Sequence, residues 1–396
     1  MAMTRNLIDA ASAASRLGIT RATLYAYVSR RLVQTHADPD DPRRRLYSAD
    51  DIARLAKAKA RGRKPAVIAA TTLDWGLPAL DSRIALIDGG KLYYRGQDAA
   101  KLAHDQSLEA VARLLWDCGD TDPFAAPAPR PSASWPIVGK QMRDALPTER
   151  CTALLPLAGI GTTVTWRHAA QSLWTDAAGL LRAMAAAATA TEPSTLPIHR
   201  HLAQAWRAGP RKAELIRAAL VLCADHELNA SAFAARVIAS TGASLSACLS
   251  GGLGALSGPL HGGTTSLVEM LFDEVDRVGD ATRVVRERLR RGDQLPGFGH
   301  PLYPDGDPRS RALLRLLPAD KTRNALIDAI GAIGGHTPNV DFALVSLRRA
   351  AQLPYGAALA LFTVGRTAGW IAHALEQQAS GAIIRPRARY TGPAPT

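Results

Sequence analysis

Cysteine is scarce in this chain of 396 residues: Cys118, Cys151, Cys223 and Cys248 stand far apart, and no two form a C-x-x-C pair. That spacing excludes a zinc site built on paired thiolates and a disulfide framework, and it leaves four small buried hydrophobes. No run reaches the roughly 18 apolar residues that a membrane-spanning helix needs. The Ala-rich stretch from Ala177 to Ala190 is broken by Arg182, and Ala357 to Val364 is too short. The N-terminus has no apolar signal core, so a cytoplasmic, unanchored protein is expected. No internal repeat of a solenoid or propeller kind is evident. Acidic residues are also in deficit, 35 against 48 Lys and Arg, which gives a net charge of +13.

That charge is uneven. Residues 1–70 hold 14 Lys/Arg against 6 Asp/Glu, so +8 sits in the first sixth of the chain. A small basic module therefore precedes a larger, milder body, and anionic partners are expected, either nucleic acid or phosphorylated ligands. With 47% hydrophobic and 21% charged residues, the whole has an ordinary globular composition and enough length for two or more domains.

In the basic module, Ile8, Ala11, Ala14 and Leu17 recur at helical spacing. Gly18 is placed to cap that helix, and Thr20 to start a second one holding Leu24, Tyr25, Val28 and Leu32. A turn at Asp38 to Pro42 leads into the basic strand Arg43-Arg44-Arg45-Leu46-Tyr47. Ser48 then caps a third helix with Asp51 at its third position. Leu17-Gly18-Ile19-Thr20, Thr23-Leu24-Tyr25, Arg45-Leu46-Tyr47 and Asp50-Asp51-Ile52 resemble the winged helix-turn-helix head of the MerR family. The resemblance implies a head over 1–64, with Thr20, Arg21, Thr23 and Tyr27 facing DNA and Arg43, Arg44 and Arg45 at the phosphate backbone.

From Ser107 onward helical periodicity dominates: Leu108, Val111, Leu114 and Leu115; Leu228, Ala232, Ala235 and Ile238; Leu344, Leu347 and Ala351. The one strand-like stretch, Ile84 to Tyr94, reads as a hairpin with Asp-Gly at its turn. The proline-rich Asp120 to Pro136 reads as an exposed loop. Residues 242–258 are rich in Gly, Ala and Ser, which lets helices approach closely. Gly252-Leu253-Gly254 therefore reads as helix packing and not as a phosphate loop. His199 and His201 have no ligand-like partner, and no metal site is expected.

Three segments stand out. Ser257-Gly258-Pro259-Leu260-His261-Gly262-Gly263, Pro296-Gly297-Phe298-Gly299-His300 with Asp307-Pro308-Arg309, and Pro338-Asn339-Val340-Asp341 each place His or Asp in a Gly- or Pro-dense turn. Such loops on a rigid scaffold carry catalytic side chains. Two imidazoles and a carboxylate suit proton abstraction beside a carbonyl: the carboxylate takes the proton, and the imidazoles stabilise the oxygen that becomes negative.

Together with Ile87-Asp88-Gly89, Leu92-Tyr93-Tyr94-Arg95-Gly96, Asp225-His226-Glu227-Leu228-Asn229-Ala230-Ser231, Gly365-Arg366-Thr367-Ala368-Gly369-Trp370 and Arg385-Pro386-Arg387, these segments resemble citrate synthase in order and spacing. The resemblance implies a mainly helical body over 65–396, with a large domain of about 65–222 and 342–396 and a small one of about 223–341. It implies condensation of acetyl-CoA with oxaloacetate, as in the tricarboxylic acid cycle, with no metal or redox cofactor. Asp341 would be the base, His261 the enol stabiliser and His300 the polariser of the ketone. Arg309, Arg366 and Arg385 would bind carboxylates and His226 would contact oxaloacetate. Arg385 would come from the second subunit of a homodimer. Leu295, Pro296, Gly297, Phe298 and Gly299 would receive the CoA adenine, and Asn339 would meet the pantetheine arm.

The chain departs from the family pattern in three places. Pro301 to Gly306 holds no Lys or Arg where many members carry a basic residue for CoA phosphate. Gly262-Gly263-Thr264-Thr265 follows His261 where Ala-Asn is common, and Phe342-Ala343 follows Asp341 in place of Tyr-Ser. Two alternatives share the same residues: a 2-methylcitrate synthase using propionyl-CoA, and a DNA-binding regulator whose synthase-like body senses a metabolite.

Overall fold

A computed structural model of the chain describes residues 7–17, 19, 24–25, 28, 33–38, 41, 45–53, 55, 80–160, 170–388 and 390–393, without the side chains of Ala170 and Gln171. The chain divides into two compact units, Met1–Asp81 with Arg387–Thr396, and Ser82–Pro386.

In the first unit, β1 (Leu7–Ile8), α1 (Ala10–Leu17), β2 (Thr35–Ala37) and β3 (Arg45–Ser48) follow in order. β3 lies between β1 and β2, antiparallel to both, with Ile8 opposite Tyr47 and His36 opposite Leu46. Ala13, Ala14 and Leu17 of α1 pack with Leu24, Val33, Tyr47 and Ile52 into a small core. Residues 49–53 are helical, and the Ser48 hydroxyl accepts from the Asp51 amide at 3.3 Å, as the capping pattern required. Gly18 and the DNA-facing candidates Thr20, Arg21, Thr23, Tyr27, Arg43 and Arg44 lie outside the described residues. Arg45 is exposed at the start of β3.

The second unit opens with β4 (Ala85–Asp88), β5 (Lys91–Tyr94) and β6 (Gln97–Asp98), an antiparallel sheet in chain order. Asp88 pairs with Lys91, so the turn residues are Gly89-Gly90 and the expected turn moves on by one position. Helices then dominate: α2 (Ala99–Asp105), α3 (Leu108–Trp116), α4 (Trp135–Gln141), α5 (Pro147–Leu154), α6 (Ala170–Thr189), α7 (Ile198–Ala205), α8 (Pro210–Cys223), α9 (Ala230–Ala239), α10 (Leu245–Leu256), α11 (Thr264–Val278), α12 (Ala281–Arg291), α13 (Pro308–Leu314), α14 (Lys321–Gly331), α15 (Val340–Ala350) and α16 (Ala357–Ser380). Leu228, grouped above with a helix, sits in the turn before α9, because Asn229 caps that helix by accepting from the Ala232 amide.

The 24-residue α16 organises this unit. It is buried on every side from Ala357 to Ala374, as a helix apolar all round must be. It packs against α3, α5, α6, α8, α9, α10, α11 and α15. Its contact with α10 uses the small-residue stretch: a Cβ on Gly252 would lie 2.8 Å from the Trp370 ring. All four cysteines are free and buried, and burial raises the Cys151, Cys223 and Cys248 thiols to about 12. His201 is buried between Thr191 and Ser194, with each ring nitrogen 2.8 Å from a hydroxyl. Among the described residues no helix is long and apolar enough to cross a membrane.

Candidate active site

Four inter-helix connections build the site. The first follows α8. The Tyr94 hydroxyl lies 3.0 and 3.2 Å from the Val221 and Leu222 carbonyls, so β5 closes the end of that helix. The chain then turns through Asp225-His226-Glu227, with Glu227 in the left-handed region at φ +50°. Its Oε1 accepts the Ile87 amide at 2.8 Å, which ties the turn to β4. A strained non-glycine residue beside a candidate site is a common feature of functional turns.

The second connection carries His261 between α10 and α11. Its bend requires Gly262, because any Cβ there would collide with the Leu256 carbonyl. The third carries His300 and Asp307 between α12 and α13, and the fourth leads from α14 into α15. These last two are clasped together. Phe298 bridges Pro338, the Gly299 amide donates to the Thr337 carbonyl at 2.8 Å, and the Asn339 amide donates to the Gly297 carbonyl at 2.8 Å. Asn339 Oδ1 accepts from the Asp341 amide at 3.0 Å and from the Phe342 amide at 3.4 Å, while its Nδ2 donates to Gly299 O. The residues expected to receive CoA are thus part of the clasp that fixes His300 relative to Asp341.

The side chains from these loops converge. The rings of His226 and His300 are 4.9 Å apart, edge to face, and both touch the Tyr303 ring. His226 Nε2 lies 3.0 Å from the Tyr303 hydroxyl. Arg309 stacks over Tyr303 at 5.6 Å and is locked to Asp307 by its Nε (3.0 Å) and Nη2 (2.8 Å). Arg366, 1% exposed, donates from Nε to the Cys223 carbonyl at 2.9 Å and lies 4.8 Å over the Phe362 ring. Its buried Nη2 has no hydrogen-bond partner. His261 stands edge-on to the same Phe362 ring, with its Nε2 2.8 Å from the Ser231 hydroxyl.

Electrostatics follow from this packing. Desolvation pushes the Asp341 carboxyl up to about 6; Arg309, the Thr265 hydroxyl and Arg366 oppose the rise, and Asp307 adds to it. Desolvation draws His261 down to about 4, helped by Arg366, and His300 to about 4, helped by Arg309. Burial and the same two arginines hold His226 well below the usual range. All three imidazoles are therefore neutral near pH 7. His300 Nδ1 accepts the Leu302 amide at 3.2 Å, which puts its ring proton on Nε2. Burial lowers Arg366, with Asp225 opposing. Burial works the same way on Arg309, but Asp307 overcomes it and raises that guanidinium.

Of the residues singled out in the sequence, His226, His261, His300, Arg309, Asp341 and Arg366 meet in this cluster. Arg385 does not: it is exposed on the segment after α16 and makes no hydrogen bond with the cluster. Sequence reasoning assigned no role to Asp307, Thr265, Ser231, Tyr303, Asp225 or His373. The last two form a fully buried contact behind Arg366, with His373 Nε2 3.2 Å from Asp225 Oδ1. Asp225 adjoins His226 and Asp307 lies two residues before Arg309, so adjacency to a chosen residue was the available signal.

Known proteins resemble this chain in sequence and in fold. The family model described as "Citrate synthase, C-terminal domain" matches residues 72–387. A Mycobacterium tuberculosis protein provisionally named citrate synthase 2 is 36% identical over 354 residues, covering 81% of this chain and 94% of its own. The 2-methylcitrate synthase of Shewanella oneidensis is 36% identical over 186 residues, 44% of this chain and 50% of its own. The crystal structure of citrate synthase from Thermotoga maritima superposes with a TM-score of 0.67 at 27% identity, covering 81% of this chain and 95% of that one. With a family match over four-fifths of its length and a relative this similar, the chain belongs to the citrate synthase family of acyltransferase enzymes.

Proposed function

We propose that this enzyme condenses an acyl-CoA thioester with oxaloacetate and releases free CoA, with acetyl-CoA as the acyl donor and citrate as the product. The observation that carries this reading is the convergence of two buried arginines, Arg309 and Arg366, on Asp341, a carboxyl with a pKa of about 6, with neutral imidazoles gathered around the same two arginines. A dicarboxylate needs guanidinium partners, and Arg309 and Arg366 are buried where their charges lack competing water.

In this reading Asp341 removes a proton from the carbon next to the thioester carbonyl. Its raised pKa makes it a stronger base than an ordinary carboxylate while leaving it mostly ionised at pH 7. A carboxylate alone is still far too weak for such a carbon acid, so the enol oxygen needs a donor, and His261 supplies it. That role requires the proton on Nδ1, hence the Ser231 hydroxyl proton pointing at Nε2. Ser231 Oγ lies 2.8 Å from both His261 Nε2 and Asn229 Oδ1; its hydroxyl donates to Asn229 Oδ1 in the structure and must turn onto Nε2 to select this tautomer. His300 donates from Nε2 to the ketone oxygen of oxaloacetate and draws the nucleophilic carbon onto that centre. His226 contacts the same substrate. Water then hydrolyses the thioester.

Leu295 to Gly299 and Asn339 receive the CoA arm, Arg385 reaches oxaloacetate from a second copy in a homodimer, and closure of a small helical domain on a large one excludes water. The chemistry as written calls for no resident cofactor. The clustered charge of residues 1–70 and the packed three-stranded sheet with α1 support a further part of the reading, that the head binds DNA.

Release of CoA thiol from acetyl-CoA and from propionyl-CoA, each with oxaloacetate, tests the reading. A specificity constant higher for acetyl-CoA is expected. A higher constant for propionyl-CoA makes the enzyme a 2-methylcitrate synthase, and no release with either overturns the condensation.

A further inference from the structure

Two aspartates approach the cluster from different loops, and their hydrogen bonding divides the work between them. Asp307 is 3% exposed, and its carboxylate accepts four hydrogen bonds. Oδ1 takes the Arg309 amide and Arg309 Nε, both at 3.0 Å. Oδ2 takes Arg309 Nη2 at 2.8 Å and the Val340 amide at 3.0 Å. A carboxylate offers about four lone-pair sites, so Asp307 is saturated and cannot act as the proton acceptor. Asp341 has no such saturated network at its carboxylate and keeps acceptor capacity; the neighbouring Thr265 hydroxyl donates to the Gly262 carbonyl at 3.1 Å.

The fourth of those bonds crosses from one loop to another. Val340 opens α15 and immediately precedes Asp341, and its amide is one of the N–H groups that a helix start leaves without an intrahelical partner. Asn339 takes the next two amides of that turn, so the base is held by two caps, one of them the carboxylate that also grips Arg309. The grip also fixes how Arg309 presents itself. Its Nε edge is occupied by Asp307, which leaves Nη1 and the outer Nη2 hydrogen for a substrate carboxylate.

We propose that Asp307 is a positioning residue that joins a substrate-binding arginine and the helix start carrying the base into one rigid unit, setting their separation and their charge balance. It rests on the reading of Asp341 as the base. The groups facing Asp341 are Arg309 and Asp307 at the start of α13, the Thr265 hydroxyl on α11, Arg366 on α16 and the Cys223 thiol at the end of α8. Asp307 is the negative neighbour that counters Arg309 at this point.

The experiment compares kcat/KM for oxaloacetate against pH in the full chain, Asp307→Asn and Asp341→Asn. In Asp307→Asn, KM for oxaloacetate rises about tenfold, because the Arg309 fork loses its partner, and the acid limb moves down by about half a unit or more, because Asp341 loses a negative neighbour while Arg309 remains. A limb that stays in place overturns the proposal, whatever happens to thermal stability. If Asp307→Asn fails to fold, Arg309→Gln tests the same unit with the opposite sign: its acid limb moves to higher pH, and an unmoved limb overturns the proposal. Full rate in Asp341→Asn defeats the base assignment itself. An inactive Asp341→Asn with an unmoved limb in Asp307→Asn defeats only the positioning role.

Discussion

At the scale of single residues, the site places each titrating group on a defined side of neutrality. Asp341 at about 6 is the group that protonates as pH falls toward mild acidity, and a base must be ionised to act. The rate of condensation is therefore expected to be flat near pH 8 and to fall tenfold per unit well below pH 6, measured as CoA release under saturating substrates. His261 and His300, both held at about 4, stay neutral through that window and do not add a limb above pH 5. Ser231→Ala should slow condensation by about tenfold or more with little change in KM for oxaloacetate, because it removes the proton that selects the His261 tautomer. A kcat equal to that of the unaltered enzyme would refute that role. His261 and His300 stood out in sequence because Gly and Pro set them in turns, and Asp341 because Pro338-Asn339 stand just before it, although it lies in the first turn of α15. Ser231 and Tyr303 were not legible, because their contacts with His261 and His226 cross 30 and 77 positions of chain, which no local pattern encodes; Asp307 had a local signal in its place two residues before Arg309, but its bond to the Val340 amide crosses 33.

At the scale of elements, the site depends on how closely α16 approaches the end of α8. A Cβ on Gly365 would lie 2.7 Å from the Leu220 carbonyl and 2.9 Å from Cys223 Cβ, and one on Gly369 would lie 2.5 Å from the Ala224 carbonyl and run into Asp225. The Gly369 amide donates to that same Ala224 carbonyl at 2.9 Å. This contact carries Arg366, between the two glycines, onto the Cys223 carbonyl. Gly369→Ala is expected to lower stability by about 1–3 kcal/mol and to raise KM for oxaloacetate in the folded fraction, by displacing Asp225 and with it His226. Thermal melting with parallel kinetics checks both, and an unchanged KM would separate the packing from the site. The helical periodicity of the sequence located α3 and α15, and the small-residue stretch of α10 was rightly read as packing. The start of α9 was misplaced, because a cap at Asn229 outweighs the apolar pattern that includes Leu228.

At the scale of the whole molecule, the exposed Arg385 and the buried Arg309–Arg366 pair lead to a test of subunit sharing. Asp341→Asn and Arg385→Ala should each be nearly inactive alone. Random mixing of the two should restore about a quarter of full activity, since half of the dimers are mixed and each mixed dimer contains one intact site. No recovery after verified exchange would place Arg385 in its own subunit's site or outside any site. Removal of residues 1–64 should leave condensation intact and abolish any binding of the protein to its own upstream DNA. Binding that persists in the shortened chain would move the DNA contact to the body. The charge asymmetry pointed to a head over 1–64; the compact unit at that end is Met1–Asp81 together with Arg387–Thr396. The DNA-facing residues themselves fall almost entirely outside the described positions.

The most direct test of the account is the single exchange Asp341→Asn, assayed for oxaloacetate binding by calorimetry and for CoA release from acetyl-CoA. The account predicts oxaloacetate affinity within a few-fold of the unaltered enzyme, with condensation reduced by about a thousandfold or more, because the arginines remain and the base is gone. Condensation at the full rate in a folded Asp341→Asn protein would contradict it.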